Sequence, residues 1–142
     1  VADFLGEDQI TKKFADDLVR QGWEISSRAT GRKPGADIVA KKGKRTIYVE
    51  AKGGGSQTKG SRRFGKPFTR LQCKIHTDVA FASIPRMLAR YEPSYVGIVL
   101  PDDQYHLESL QEILPTIKKL GAGAWLVGKK GIRTLSKPKL QR

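Results

Sequence analysis

The sequence predicts an α/β protein, a mixed central sheet with helices on its faces, and three observations predict it. Helix-period apolar patterns occur in three segments, short β-prone runs bounded by turn residues lie between and after them, and the resulting element order is αβββαβαββ. The 142 residues are expected to form one domain spanning 1–142, and a composition of 38% hydrophobic and 29% charged residues is that of a chain able to build a core.

The elements follow in order. Residues 3–20 carry Phe4, Ile10, Phe14, Leu18 and Val19 at helical spacing, and Gln21-Gly22 ends the pattern where glycine can take a left-handed cap. Trp23 to Ala29 reads as a strand, followed by a turn from Thr30 to Gly35. Ala36 to Ala40 and Thr46 to Ala51 are β-prone runs joined by Lys41-Lys42-Gly43-Lys44-Arg45, a hairpin connection with glycine in the turn. Residues 53–66, rich in Gly, Ser and basic side chains, cannot bury apolar area and are expected to form a loop. From Phe68 to Tyr91 an amphipathic segment shows an apolar stripe of Leu71, Ile75, Val79, Ala82, Leu88 and Tyr91, which Pro85 is expected to kink or divide. Tyr95 to Leu100 is a strand. Asp102 or Asp103 then caps a helix running to Leu120, with Pro115 as a break, and two last strands, Ala124 to Val127 and Ile132 to Leu135, flank a glycine-bounded turn. Trp23 and Trp125 fall in expected strands and belong to the core.

Charge points to a polyanionic partner. Lys and Arg number 27 against 14 Asp and Glu, a net +13, and each phosphate neutralised by such a surface releases condensed counterions and adds sequence-independent affinity. The distribution is uneven. Seven basic residues (Lys52, Lys59, Arg62, Arg63, Lys66, Arg70, Lys74) separate Glu50 from Asp78 with no acid among them, and eight follow Glu112, again without an acid. Such blocks predict a basic face. The lone Cys73 excludes an internal disulfide, makes a zinc cluster unexpected and reads as an inert buried thiol, so a reducing, cytoplasmic location is expected. No run approaches the roughly 18 apolar residues of a bilayer span and the N-terminus lacks a signal-peptide pattern, so no membrane partner is expected.

The chemistry-bearing residues lie on two adjacent strands. Side chains alternate along a strand, so Tyr48, Glu50 and Lys52 share one face while Ile47, Val49 and Ala51 share the other. In the preceding strand Asp37 opposes Ile38 and Ala40 and can join Glu50 if the hairpin register allows. Two carboxylates beside an ammonium are costly to bring together unless a cation and a substrate use them. Two hard carboxylate oxygens with a backbone carbonyl and waters suit Mg²⁺ or Mn²⁺, which would activate water and offset charge on a scissile phosphate, with Lys52 positioning the attacking water or stabilising the developing charge. An acid-x-lysine triplet alone occurs about once by chance in a chain of this length, so its context must discriminate.

That context resembles a known family. The run Gly35-Ala36-Asp37-Ile38-Val39-Ala40, followed after 12 intervening residues by Glu50-Ala51-Lys52-Gly53, resembles the D-X(n)-E-X-K motif of the PD-(D/E)XK nuclease superfamily, which includes archaeal Holliday junction resolvases and many restriction and repair nucleases. Ala36 stands where the family's name records proline. The resemblance covers nearly the whole chain and implies a restriction-endonuclease-like αβββαβ core, here followed by an extra helix and strand pair. It implies Mg²⁺-dependent hydrolysis of DNA phosphodiesters, with Asp37 and Glu50 as metal-binding carboxylates, the Ala51 carbonyl as a further ligand and Lys52 as catalytic cation. Members often carry an acid on the first helix and a glutamine on the helix after the motif, positions that Glu7 and Gln72 match. Glu7 precedes Ile10, Phe14 and Leu18 by three, seven and eleven residues, which predicts a place on the buried helix face. His76 lies one turn beyond Gln72 and joins Lys59, Arg62, Arg63, Lys66, Arg70 and Lys74 as candidate nucleic-acid contacts, because the loop carrying the first four begins directly after Lys52. Phe64 in that loop is expected to anchor it to the fold, with stacking on bases as the other reading. A nuclease of this size that cuts both strands would pair with a second copy, so a homodimer is one expectation. Two other classes compete: a nucleic-acid-binding module of the same fold without cleavage activity, and a basic structural protein of a ribonucleoprotein.

Overall fold

The computed structural model describes residues 4–28, 36–56, 60, 62–91 and 94–140. Helix α1 (Glu7–Arg20) forms where the apolar spacing requires it. Ile10, Phe14, Ala15 and Leu18 are buried along one stripe, acids occupy the first turn and Arg20 the last, in accord with the helix dipole. It ends at Gln21, and Gly22 takes φ +94 to redirect the chain.

Strands β1 (Glu24–Arg28), β2 (Ile38–Lys42) and β3 (Arg45–Ala51) make an antiparallel meander. The β2–β3 connection is tighter than the five-residue link expected from sequence. Lys42 pairs with Arg45, leaving Gly43 and Lys44 as a two-residue turn with Gly43 at φ +61. The expected turn from Thr30 to Gly35 lies outside the described residues. Strand β4 (Tyr95–Pro101) lies parallel to β3 after helix α2 (Arg70–Arg90), and β5 (Gly123–Gly128) lies parallel to β4 after helix α3 (Gln104–Lys119). A second hairpin adds β6 (Gly131–Ser136), antiparallel to β5. Among the described residues the result is a six-stranded mixed sheet in the order β1-β2-β3-β4-β5-β6 with three helices, an α/β architecture. Two successive parallel crossovers of one hand must lie on the same face, and the packing agrees.

One face carries α1. There Ile38, Ala40, Ile47, Val49, Ala51, Val99 and Trp125 close over Ile10, Phe14 and Leu18. Each large side chain withdrawn from water in this way contributes about 1.5–3 kcal/mol. Trp125 fits because Gly97 and Gly123 lie beneath it: a Cβ on either would stand 2.4 or 2.3 Å from the indole ring. Trp125 is therefore the core residue expected, whereas Trp23 precedes β1 and is only half-buried. The other face carries α2 and α3, whose Ala80, Ile84, Met87, Leu110 and Ile117 pack on Val96, Ile98, Leu100, Ala124 and Leu126.

Two expectations for α2 are corrected in part. The helix is continuous through Pro85 rather than divided; Ile84 and Met87 on either side of the proline are both buried, so the sheet holds both halves despite the lost backbone hydrogen bond. Its buried side is Cys73, Thr77, Ala80, Ile84 and Met87. The first part of the apolar stripe read from sequence instead faces outward, with Leu71, Ile75 and Val79 exposed by 66%, 49% and 51%, while Leu88 and Tyr91 at its other end do pack against the core. Small residues on the other side allow close approach to the sheet, and closeness outweighed hydrophobicity. Pro115 likewise lies within α3 without ending it.

Candidate functional site

Strand register brings the two acids together. Ile38 pairs with Val49 in the β2–β3 ladder, so one step further Asp37 stands across from Glu50 on the same face. Asp37 Oδ2 accepts the Ala51 amide at 2.7 Å, taking the place of a ladder carbonyl and fixing the carboxylate at the end of the hairpin. The amide and carbonyl of a strand residue leave on the same side, so the Ala51 carbonyl is also directed toward the Asp37 side. Lys52 is still tied to the sheet, its amide donating to the Val99 carbonyl at 3.1 Å. Its ammonium lies 3.9 Å from Glu50 Oε1, and both side chains are only 22% exposed.

These groups share one electrostatic environment. Burial raises the Glu50 carboxyl to a pKa of about 7; the Asp37 charge and a hydrogen bond shared with Asp37 add to the rise, while Lys52 opposes it. Glu7 belongs to the same field. Its pKa is raised first by burial of the carboxyl and then by Asp37, against the pull of Lys52.

Glu7 nevertheless corrects the sequence reading, for the residue is exposed and not part of the buried stripe. Helix α1 starts past the end of β3, where Gly53 backs onto it so closely that a Cβ there would lie 2.4 Å from the Glu7 nitrogen. Gly54 completes the contact by donating to the Leu5 carbonyl at 2.8 Å. Glu7 thus overhangs the end of the sheet, which is how a helix packed on one face supplies a carboxyl to acids on the other. The glycines after Lys52 are the sequence feature that permits it.

Around this centre the candidates divide. His76 of α2 feels the Lys52 charge: the ring is half-buried, meets Phe68 edge-on at 4.2 Å, and its pKa is lowered by burial and then by the charges of Lys52 and His106. Gln72 is committed elsewhere, because its side-chain oxygen accepts the Thr69 amide at 2.8 Å while Thr69 Oγ1 accepts the Gln72 amide at 3.2 Å, a reciprocal cap of α2. Arg70 pairs with Glu108 of α3 at 3.4 Å and lies over the Tyr105 ring. Arg63 donates to the Pro67 carbonyl at 2.7 Å within its own loop. Arg62, Lys66 and Lys74 are exposed, and Phe64 is 49% exposed instead of anchoring the loop in the core. Lys59 lies outside the described residues.

No protein-family profile, curated protein or solved structure matches the chain. What the site can do is therefore read from its own chemistry. Two carboxylates facing each other at the end of the hairpin, with a carbonyl directed alongside, form a hard oxygen donor set that suits a small divalent cation. Such an ion would offset the burial and the Asp37 charge that together raise the Glu50 pKa.

Two features escaped the sequence reading. A cavity of about 250 Å³ runs from Glu50 along the second half of α2, bordered by Val79, Ser83, Arg86, Arg90 and Tyr91. Its signal was the 79-83-86-90 spacing on one helix, which an apolar-stripe search does not register. The second feature is a cluster in which ligand-type atoms of Cys73, Asp103 and His106 lie within 4.8 Å of one another. Asp103 caps α3 by accepting the His106 amide at 2.9 Å and also meets His106 Nδ1 at 2.8 Å, while burial and the Asp103 charge push the Cys73 thiol up to about 12. A protonated thiol against an engaged carboxylate joins α2 to the start of α3. No helix among the described residues is long and apolar enough to cross a membrane.

Proposed function

We propose that this chain is a metal-dependent nuclease that hydrolyses DNA phosphodiester bonds at the cluster of Asp37, Glu50 and Lys52, on a restriction-endonuclease-like α1-β1-β2-β3-α2-β4 core. The observation that carries the reading is the hairpin register that stands Asp37 across from Glu50 on one face, with the Lys52 ammonium 3.9 Å from Glu50. A surface ion pair needs one carboxylate; two confined carboxylates beside one ammonium are stable only with a proton or a cation between them.

Asp37, Glu50 and the Ala51 carbonyl would hold Mg²⁺ or Mn²⁺. When bound, the ion supplies Lewis-acid stabilisation of phosphate charge and a water of lowered pKa. The chain's own groups do the rest. The Ala51 amide fixes Asp37, the sheet fixes Glu50 and Lys52, and Lys52 presents a positive charge where a phosphate oxygen gains negative charge during attack. Glu7 is a fourth polar group able to orient water from the α1 side. Net charge of +13 favours a polyanionic substrate.

Incubation of plasmid and branched DNA with Mg²⁺, with Mn²⁺ and with EDTA tests the reading. Cleavage is expected with either ion and none with EDTA; Asp37→Asn and Lys52→Ala should abolish it while salt-sensitive DNA binding persists. Equal cleavage by either variant would overturn the assignment, and binding by the wild type without cleavage under any condition would leave a nucleic-acid-binding module.

A further inference from the structure

The cavity beside Glu50 is lined by two exposed arginines, Arg86 and Arg90. Val79, Ser83, Arg86 and Arg90 follow one another at helical spacing along one side of α2, and with Glu50 and Tyr91 they enclose about 250 Å³. Arg86 and Arg90 are both exposed and one turn apart. Like charges at that spacing repel, so the arrangement is unfavourable unless an anion lies between them. Other arginines around the fold have partners: Arg70 has Glu108, Arg133 has Asp102 and Arg20 has Asp17. Among the described residues no carboxylate pairs with Arg86 or Arg90; the only recorded contact is that of Arg90 with the Tyr91 ring, at 5.9 Å. Tyr91 is itself stacked on Tyr48 of β3, with centroids 3.8 Å apart and planes within 4°. The far wall of the cavity is therefore rigid and tied to the strand that carries Glu50.

We propose that Arg86 and Arg90 form a phosphate-binding subsite that holds a nucleic-acid strand on the α2 side of Glu50. The identity of the ligand rests on the nuclease reading; the geometry of the subsite does not. A small free anion is disfavoured here because the Glu50 carboxyl lines the same cavity. A phosphodiester strand differs, since one phosphate can meet the guanidinium pair while the strand runs on toward Glu50 and Asp37, the residues that would hold a cation. Arginine is suited to this use through two parallel N–H donors per guanidinium. Contacts to phosphate position a strand without reading its sequence, so the subsite sets where the backbone runs and leaves base preference to other groups.

Binding of a fluorescently labelled DNA duplex to the full chain in EDTA, measured by anisotropy across a salt series, separates this proposal from cleavage. The variants are Arg86→Ala/Arg90→Ala and Arg86→Lys/Arg90→Lys, both at exposed positions, with circular dichroism confirming the fold. The alanine pair is expected to weaken binding about tenfold or more and to reduce the slope of log K against log salt by about 1, since the pair holds one phosphate and each phosphate neutralised contributes about 0.9. The lysine pair should retain most of that slope. Unchanged affinity and slope in the alanine pair would overturn the subsite even if the wild type cuts DNA with Mg²⁺. Loss of slope in a protein that never cuts would uphold the subsite and overturn the nuclease reading, and a wild type that binds no DNA would overturn both.

Discussion

Asp37 and Ala51 are joined across the open end of the β2–β3 hairpin, the Asp37 carboxylate accepting the buried Ala51 residue's amide at 2.7 Å. This bond separates two roles of one residue. Asp37→Asn keeps an oxygen acceptor and is expected to change stability by less than about 1 kcal/mol, whereas Asp37→Ala leaves the amide without its acceptor and should cost about 1–3 kcal/mol. Both should reduce cleavage about a thousandfold or more, because several kcal/mol of charge stabilisation depend on the carboxylate. Thermal unfolding beside a cleavage assay checks this, and an active Asp37→Asn variant would remove the carboxylate charge from the mechanism.

The raised Glu50 pKa gives a pH signature. A carboxyl whose folded pKa of about 7 exceeds its ordinary 4.5 binds more protons folded than unfolded between those values. Stability contributed by the protonated form is fully present below about 4.5 and declines as pH rises toward 7. In EDTA the melting temperature should therefore fall across that window. Mg²⁺ should restore it most strongly above pH 7, where Glu50 is already ionised, and should bind with proton release below pH 7; Glu50→Gln should flatten both effects. Melting curves with and without Mg²⁺ that stay parallel from pH 5 to 8 would refute the linkage.

Much of this centre was legible because strand alternation is strict. Tyr48, Glu50 and Lys52 had to share a face, and hairpin register brought Asp37 beside Glu50. Helix faces were less legible. The stripe of Leu71, Ile75 and Val79 is more apolar than the side built from Cys73, Thr77 and Ala80, yet the smaller side packs on the sheet. Hydrophobicity orients a helix only when size and shape agree with it. Glu7 was placed near the centre for the wrong reason: it is exposed at the start of α1, beside Gly53 at the sheet end, and not on the buried helix face. Gln72 and Arg70 could not be assigned from sequence, because their partners Thr69 and Glu108 are defined by a cap and a helix–helix contact.

Gly53 makes a further prediction. A methyl group there would lie 2.4 Å from the Glu7 nitrogen and 3.0 Å from its Cα, both backbone atoms that cannot swing aside. Gly53→Ala should destabilise the fold by about 1–3 kcal/mol and shift the start of α1, lowering activity through displacement of Glu7. Urea unfolding measures the first effect. A variant as stable as wild type would mean that the α1–β3 junction yields more easily than its packing implies.

Gln72 is expected to behave as a cap. Removing its side chain breaks one half of the reciprocal pair with Thr69, a loss of about 1 kcal/mol, and Gln72→Ala should lower the unfolding midpoint while kcat stays within a few-fold of wild type. Should kcat fall a hundredfold with stability untouched, Gln72 would belong with Asp37 and Glu50 after all.

Asp103 and His106 test the part of the fold that lies apart from the chemistry. The His106 ring is fully buried, and Asp103 meets its Nδ1 while also accepting its amide at the start of α3. Burial pushes the Asp103 carboxyl up, but hydrogen bonds and charge from His106 outweigh it and hold the pKa below 3.8. A depressed carboxyl contributes stability above its ordinary pKa and loses it as pH falls through the folded value. Asp103→Ala removes a cap, at about 0.5–2 kcal/mol, and leaves a buried ring nitrogen unpaired, at about 1–3 kcal/mol. The wild type should therefore exceed the variant by roughly 2–4 kcal/mol at neutral pH, and that margin should shrink below pH 3.8. Cleavage per folded molecule should be unchanged, because Asp103 is not among the charges acting on Glu50. A pH-independent margin would locate the stabilisation in packing, since only the ionised carboxylate can lose its advantage on protonation.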